Sequence, residues 1–285
     1  MLKRIFAIFI ILVGSYILFT GVNSWMTFGG GSTEASINNR IDLISIDVSS
    51  SDTVIIPEKR NDVRAELDGK GNVTVNKSGN EVQVEYKRKW LDGFQFFNNK
   101  SNLKIYVPED YSKSMSIKVG SGRLNFSGKS ESHPFGLEKL NVDMSSGKIS
   151  LANIKADEFE HKGSSGMMDA DHLTAGSGEI DMSSGRVKIR NYQGKLDAEV
   201  SSGQLDIMIR KLSDSVNVKA SSGFVRLNLP DDADFTLKGK SSSGHISSHY
   251  KLDDETRNKN DISGKHGTGK HDISVSVSSG KAEIK

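Results

Sequence analysis

One triplet, Ser-Ser-Gly, recurs along this chain, ending at Gly147, Gly166, Gly185, Gly203, Gly223, Gly244 and Gly280; a looser Gly-Ser-Gly ends at Gly122. From Gly147 to Gly244 the successive gaps are 19, 19, 18, 20 and 21 residues. A period near twenty marks a stacked-repeat architecture, in which each unit buries its apolar face only against its neighbours.

Counted from each glycine, apolar residues fall at −7, −5, −3, +2 and +4. Before Gly203 they are Leu196, Ala198 and Val200, and after it Leu205 and Ile207. Around Gly147 they are Leu140, Val142, Met144, Ile149 and Leu151. Spacing of two is a strand with one buried face. The inward parity switches across the triplet, which a straight strand cannot do without turning its later apolar side chains to water. The triplet therefore reads as a corner where two strands meet, with glycine supplying the unusual dihedrals of a bend. Each coil needs a second corner, for which Gly178 and Gly194 are candidates. The fold expected is all-β: a parallel β-solenoid of about 18–21 residues per coil. His161 and Gly163, and likewise Gly239 and Ser241, stand at inward positions, where a slipped register or local bulge is expected.

In front of this lies an uncharged run, Ile5 to Val22, preceded by Lys3 and Arg4, with no further Lys or Arg until Arg40. Its eighteen residues suffice to span a bilayer core. The charge asymmetry keeps the amino terminus in the cytoplasm and places the chain after Trp25 outside. A cleaved signal peptide is the rival, but the run is long for one and Thr20–Ser24 is a poor cleavage site. The domains expected are a transmembrane anchor (1–22), a flexible linker (23–40), N-terminal β coils or a cap (41–113), and the solenoid repeats (114–285). KLDDETRNKN, Lys251–Asn260, lacks the alternation and is expected to be a projecting loop.

Chemistry is sparse. The net charge of +2 and the absence of a dense basic block argue against nucleic-acid binding, and the lack of cysteine excludes disulfides and thiolate metal sites. His245/His249 and His266/His271 invite a metal, but helical spacing has no meaning in a strand-and-turn region. Asp231, Asp232 and Asp234, and Asp253, Asp254 and Glu255, read as acidic turns. A catalytic serine is normally unique, whereas these serines recur as a shape element, so no catalytic residue, metal or cofactor is assigned.

Two surfaces stand out. Outward positions after the corners carry Arg123, Lys148, Arg186 and Lys281 at +1 and Lys188 and Arg226 at +3. These form either a stripe for anionic wall polymers or a merely solvated face. Met167, Gln204, Phe224 and His245 interrupt it. Next to the basic triplet Lys87–Lys89, the residues Trp90, Leu91, Phe94, Phe96 and Phe97 either plug the end of the solenoid core or touch the membrane.

The series VGSGRLNF, VDMSSGKISL, IDMSSGRVKI, EVSSGQLDI, KASSGFVRL and VSSGKAEI resembles the putative-adhesin family of repeated β-strand domains. So do LKIYVPEDY and LNLPDDADFTLKGKSSSG, and the likeness covers roughly Ile41 to Lys285. With one anchor in front, the chain is similar to the LiaG-type proteins. That resemblance implies an extracytoplasmic, membrane-tethered accessory protein of the cell-envelope stress response, with envelope-stress membrane proteins as partners. It carries over no catalytic residue. A cell-surface adhesin and a polysaccharide-acting β-helix enzyme are the alternatives.

Overall fold

The computed structural model describes residues 32–88 and 101–285. Within them, Thr33–Lys285 forms one compact unit. The expected anchor over residues 1–22 lies outside the described residues, as does the linker up to residue 31. Among the described residues no helix is long and apolar enough to cross a membrane, and every regular element is a β-strand.

This unit is a parallel β-solenoid. Lys148–Gly163 pairs in parallel with Met167–Met182, which pairs with Arg186–Val200, so that Ile149, Met168 and Val187 stack one above another. Inward residues form one continuous core, including Leu140, Phe159, Ile180, Leu196 and Val218. The parity switch falls at the triplet: Val142 and Met144 are buried before Gly147, and Ile149 and Leu151 after it.

The middle coils are three-sided rather than two-sided. Along Lys148–Gly163 the buried positions are Ile149 and Leu151, then Ile154 and Ala156, then Phe159, His161 and Gly163. The second corner falls at Asn153, His172 and Asn191, whose φ angles are 54°, 52° and 57°. Asparagine and histidine are among the side chains that tolerate this left-handed region. The third corner runs through Asp157, Gly176 and Gly194, and the 18-residue gap arises there, where the register slips between Thr174/Gln193 and Ser177/Lys195. Gly194 (φ 128°) is thus a corner residue. Gly178 is not: it faces inward, and the Tyr192 hydroxyl occupies the space its side chain would need.

Nor does the register slip at His161. It stacks in sequence between Val142 and Ile180, and Met182 fills the room above Gly163. Gly239 is likewise inward, covered by Ile262 and Ile246.

Order in the stack departs from order in the chain at both ends. Leu43–Val48 pairs with Glu81–Lys87 on one side and Ser114–Val119 on the other. Asp52–Glu58 does the same with Asn102–Pro108 and Arg123–Ser127. At the far end, His271–Val277 and Lys281–Ile284 are inserted between the coil of Val216–Ala220 and Phe224–Asn228 and that of Phe235–Ser241 and His245–Ser248.

Antiparallel strands cover both ends. Asn72–Ser78 lies on Glu81–Lys87, and Asp62–Asp68 on Asn102–Pro108. Glu34–Ser36, inside the segment read as linker, adds to Asp62–Asp68. At the other end Asp261–His266 lies on Phe235–Ser241 and pairs in turn with Asp253–Arg257. That last strand, expected as a loop, is exposed throughout, and its charges discourage edge-to-edge pairing.

Candidate binding surface

The corner triplet is built by its backbone. The N–H after each glycine donates to the carbonyl of the corner glycine one coil away: Met167 to Gly147 at 3.0 Å, Gln204 to Gly185 at 2.8 Å, Lys281 to Gly223 at 3.1 Å. The serines continue the ladder, Ser184 donating to Ser164 at 2.7 Å and Ser222 to Ser201 at 2.7 Å. A Cβ on Gly203 would stand 2.7 Å from the Gly185 carbonyl oxygen, and one on Gly244 2.6 Å from that of Gly280. Glycine is required by close backbone approach, not by dihedral angle. Of the glycines that end a Ser-Ser-Gly triplet only Gly185 has a positive φ, 101°.

This leaves two columns of serine hydroxyls along one edge of the solenoid. Among the described residues, none of the hydroxyls of Ser145, Ser164, Ser183, Ser202, Ser222 or Ser279 bonds to an imidazole or carboxylate, so no triad converges on a corner.

On one side of this edge lies the expected stripe. Arg123, Lys148, Met167, Arg186, Gln204, Phe224, Lys281 and His245 stand in strict ladder register. The +3 column beside them holds three carboxylates, Asp169, Asp206 and Glu283, against two cations, Lys188 and Arg226. Lys148 pairs with Asp169 at 2.8 Å, Arg226 with Asp206 at 3.5 Å and Glu283 at 3.6 Å, and Lys281 with Glu283 at 2.5 Å. Lys281 and Lys285 hold the Glu283 carboxyl down to about 2. Arg226 also lies over the Phe224 ring at 5.0 Å. Arg123, Arg186 and Lys188 make no ion pair within the described residues. Lys188 stands in register between Asp169 and Asp206.

On the other side of the edge the serines border a groove of about 500 Å³. Its outer wall is a ladder row of alternating sign: Asp47, Lys118, Asp143, Lys162 and Asp181. Within the described residues only Lys162 of the five makes an ion pair, with Glu160.

A third cluster carries no motif in the sequence. The turn between Ser127 and Phe135 brings Glu131 over the second corner. There its Oε2 stands 3.2 Å from His172 Nε2 while Asp171 Oδ1 stands 3.1 Å from Nδ1. Arg210 pairs with the other oxygen of Glu131. Arg190 and Asn191 hold Asp171 at 3.3 and 2.9 Å. Beneath is a cavity of about 110 Å³. Only the left-handed corner brings these residues together, so sequence spacing gives no hint of it.

Asp234 and His266 have structural partners, and the aromatic candidates lie outside the described residues. Asp234 accepts from Thr268 Oγ1 at 2.7 Å and from the Gly269 and Lys270 N–H groups at 2.6 and 3.0 Å, which holds its carboxyl below the usual range. His266 packs against Tyr250 and Phe235 and reaches the Lys251 carbonyl at 3.0 Å. Among the described residues no group of histidines and carboxylates is arranged to hold a metal ion. Trp90, Leu91, Phe94, Phe96 and Phe97 lie outside the described residues, between Glu81–Lys87 and Asn102–Pro108, the two strands of the outermost coil.

Solved structures share this architecture. A putative adhesin from Parabacteroides merdae ATCC 43184 matches with a TM-score of 0.55 and 13% identity, over 88% of this chain and 94% of that one. One from Parabacteroides distasonis ATCC 8503 matches with a TM-score of 0.53 and 14% identity, over 90% and 98%. At these identities the likeness concerns the fold alone. No curated protein matches the chain. The model of the Toastrack DUF4097 family matches residues 41–285, the same span that the corner repeat and its stacked coils occupy, and the chain belongs to that family.

Proposed function

We propose that the protein is a non-catalytic binding or scaffold module, held outside the cytoplasmic membrane by residues 5–22. The observation that carries this reading is the repetition of the corner. One backbone device presents the same hydroxyl pair coil after coil, giving a long surface with no unique reacting group. Extended surfaces of this kind suit polymers and flat partners. The resemblance to LiaG-type proteins supports a place in the envelope-stress response. The partners would then be envelope-stress membrane proteins or the anionic wall polymers that Arg123, Arg186 and Lys188 would meet. The solved relatives named adhesins favour a second reading, in which the same surface holds another cell or matrix.

The test uses the full chain in intact cells. Protease added outside should remove the solenoid and leave the anchor. Chemical crosslinking should capture envelope polymer or a membrane protein of the same cell. A protease-resistant solenoid in sealed cells would refute the topology; crosslinks only to neighbouring cells would favour the adhesin.

A further inference from the structure

From the groove beside the serine edge we infer a site for a linear, uncharged glycan lying along the solenoid axis. The inference rests on the binding-module reading and names the ligand class of one of its surfaces. The open outward charges differ in sign on the two sides of the serine edge: on the stripe side Arg123, Arg186 and Lys188, all cationic, make no ion pair within the described residues. On the stripe side, Lys148, Arg226 and Lys281 are held by Asp169, Asp206 and Glu283. In the groove, the side chains of Asp47, Lys118, Asp143 and Asp181 make no hydrogen bond or ion pair within the described residues, and neither do the hydroxyls of Ser145, Ser164 and Ser183. Open donors and acceptors thus line a concave surface of about 500 Å³.

Spacing and sign select the ligand. Successive groove residues sit one strand apart, ~4.8 Å, so the row from Asp47 to Asp181 extends about 19 Å. Each step is close to the length of one equatorially linked pyranose. Every sugar would meet one carboxylate or ammonium and, at most rungs, one serine hydroxyl, a set able both to accept from and to donate to ring hydroxyls. The row holds three carboxylates against two ammoniums, and Glu160 already faces Lys162, so a polyanion would be repelled along it. A peptide strand is disfavoured as well. The groove runs across the strands, whose N–H and C=O groups are engaged in the ladder, so it offers no free edge.

The experiment is calorimetric titration of the full chain in detergent with cello- and chito-oligosaccharides, from disaccharide to hexasaccharide. Affinity should rise with each added sugar and level off near the pentasaccharide, the length of the row. Combining Lys118→Gln with Asp143→Asn should weaken the longest oligomer by about tenfold or more, the effect of losing charged hydrogen bonds. Lys148→Gln, on the other face, should change nothing, and melting curves of each variant check that it folds. Absence of heat with every oligomer, affinity independent of length, or tighter binding of oligogalacturonate than of the neutral chains would each overturn the assignment. If envelope crosslinks persist while the oligosaccharides fail to bind, the binding-module reading stands and only the groove's ligand is wrong.

Discussion

A Cβ placed on Gly223 would stand 2.6 Å from the carbonyl oxygen of Gly203, one coil away, and 3.0 Å from a methyl of Val200. Both obstacles belong to the stacked core and cannot swing aside. Gly223→Ala should therefore cost about 3 kcal/mol or more, in the range of severe packing defects. Ser222→Ala, whose hydroxyl has no partner within the described residues, should be nearly neutral. Thermal denaturation of the two variants decides this, and equal melting points would refute the close-approach account.

The imidazole of His161 lies fully inside the core. Its Nδ1 is 3.0 Å from the Val142 carbonyl oxygen, while Nε2 has no partner among the described residues. Burial pushes its pKa down to about 4 from the 6.5 of a free ring, opposed by the Val142 bond and by Asp143. The unfolded chain therefore binds the proton more readily than the folded one. This group's contribution is complete above about pH 6.5 and is lost as pH falls towards 4, about 3 kcal/mol over that window. Urea unfolding at pH 7 and pH 4.5 should show the loss, and His161→Leu should reduce it. A slope unchanged by that substitution would exclude His161 as its source.

Glu131 holds its turn to the second corner through His172 and Arg210. All three side chains are partly exposed, so the global cost of cutting the link is small, within about 1 kcal/mol. Its local effect is the informative one. Glu131→Gln should raise amide exchange over residues 128–134 and leave the melting point unmoved. Exchange that stays slow would show that the turn is fixed by its own Ser130–His133 bridge.

If the stripe holds anionic polymer, the basic groups without an intramolecular partner should carry it. Charge-neutral glutamine at Arg186 and Lys188 should then abolish retention on purified teichoic acid and flatten its salt dependence. The same change at Lys148 and Arg226, which are tied to carboxylates, should do little. Retention that survives loss of Arg186 and Lys188 excludes the stripe.

Much of the solenoid is legible because one residue pattern reports one geometry. Apolar residues at −3 and +2 around each glycine place Val200 and Leu205, or Val277 and Ala282, inward, and they are buried. The second and third corners are hidden because different residues solve the same bend: Asn153 or His172 at one, Asp157 or Gly194 at the other. His161 and Gly163 read as errors in the pattern because the compensating atoms, those of Met182, come from the next coil. The surface is harder still. Column alignment gives the +1 positions, but whether a cation is engaged depends on carboxylates a coil away, as with Lys148 and Asp169.

The inserted coil at the far end also bears on how the molecule is made. Phe235–Ser241 and His245–Ser248 are synthesised before His271–Val277 and Lys281–Ile284, yet reach the stack only through them. On the ribosome, Phe235–Ser241 can pair with Asp261–His266 as soon as that strand emerges, but the segment stays off the stack until its later neighbour follows. Closure of the stack at this end is therefore a single late event, and growth coil by coil stops at Phe224–Asn228 until the final strands are free to slot in.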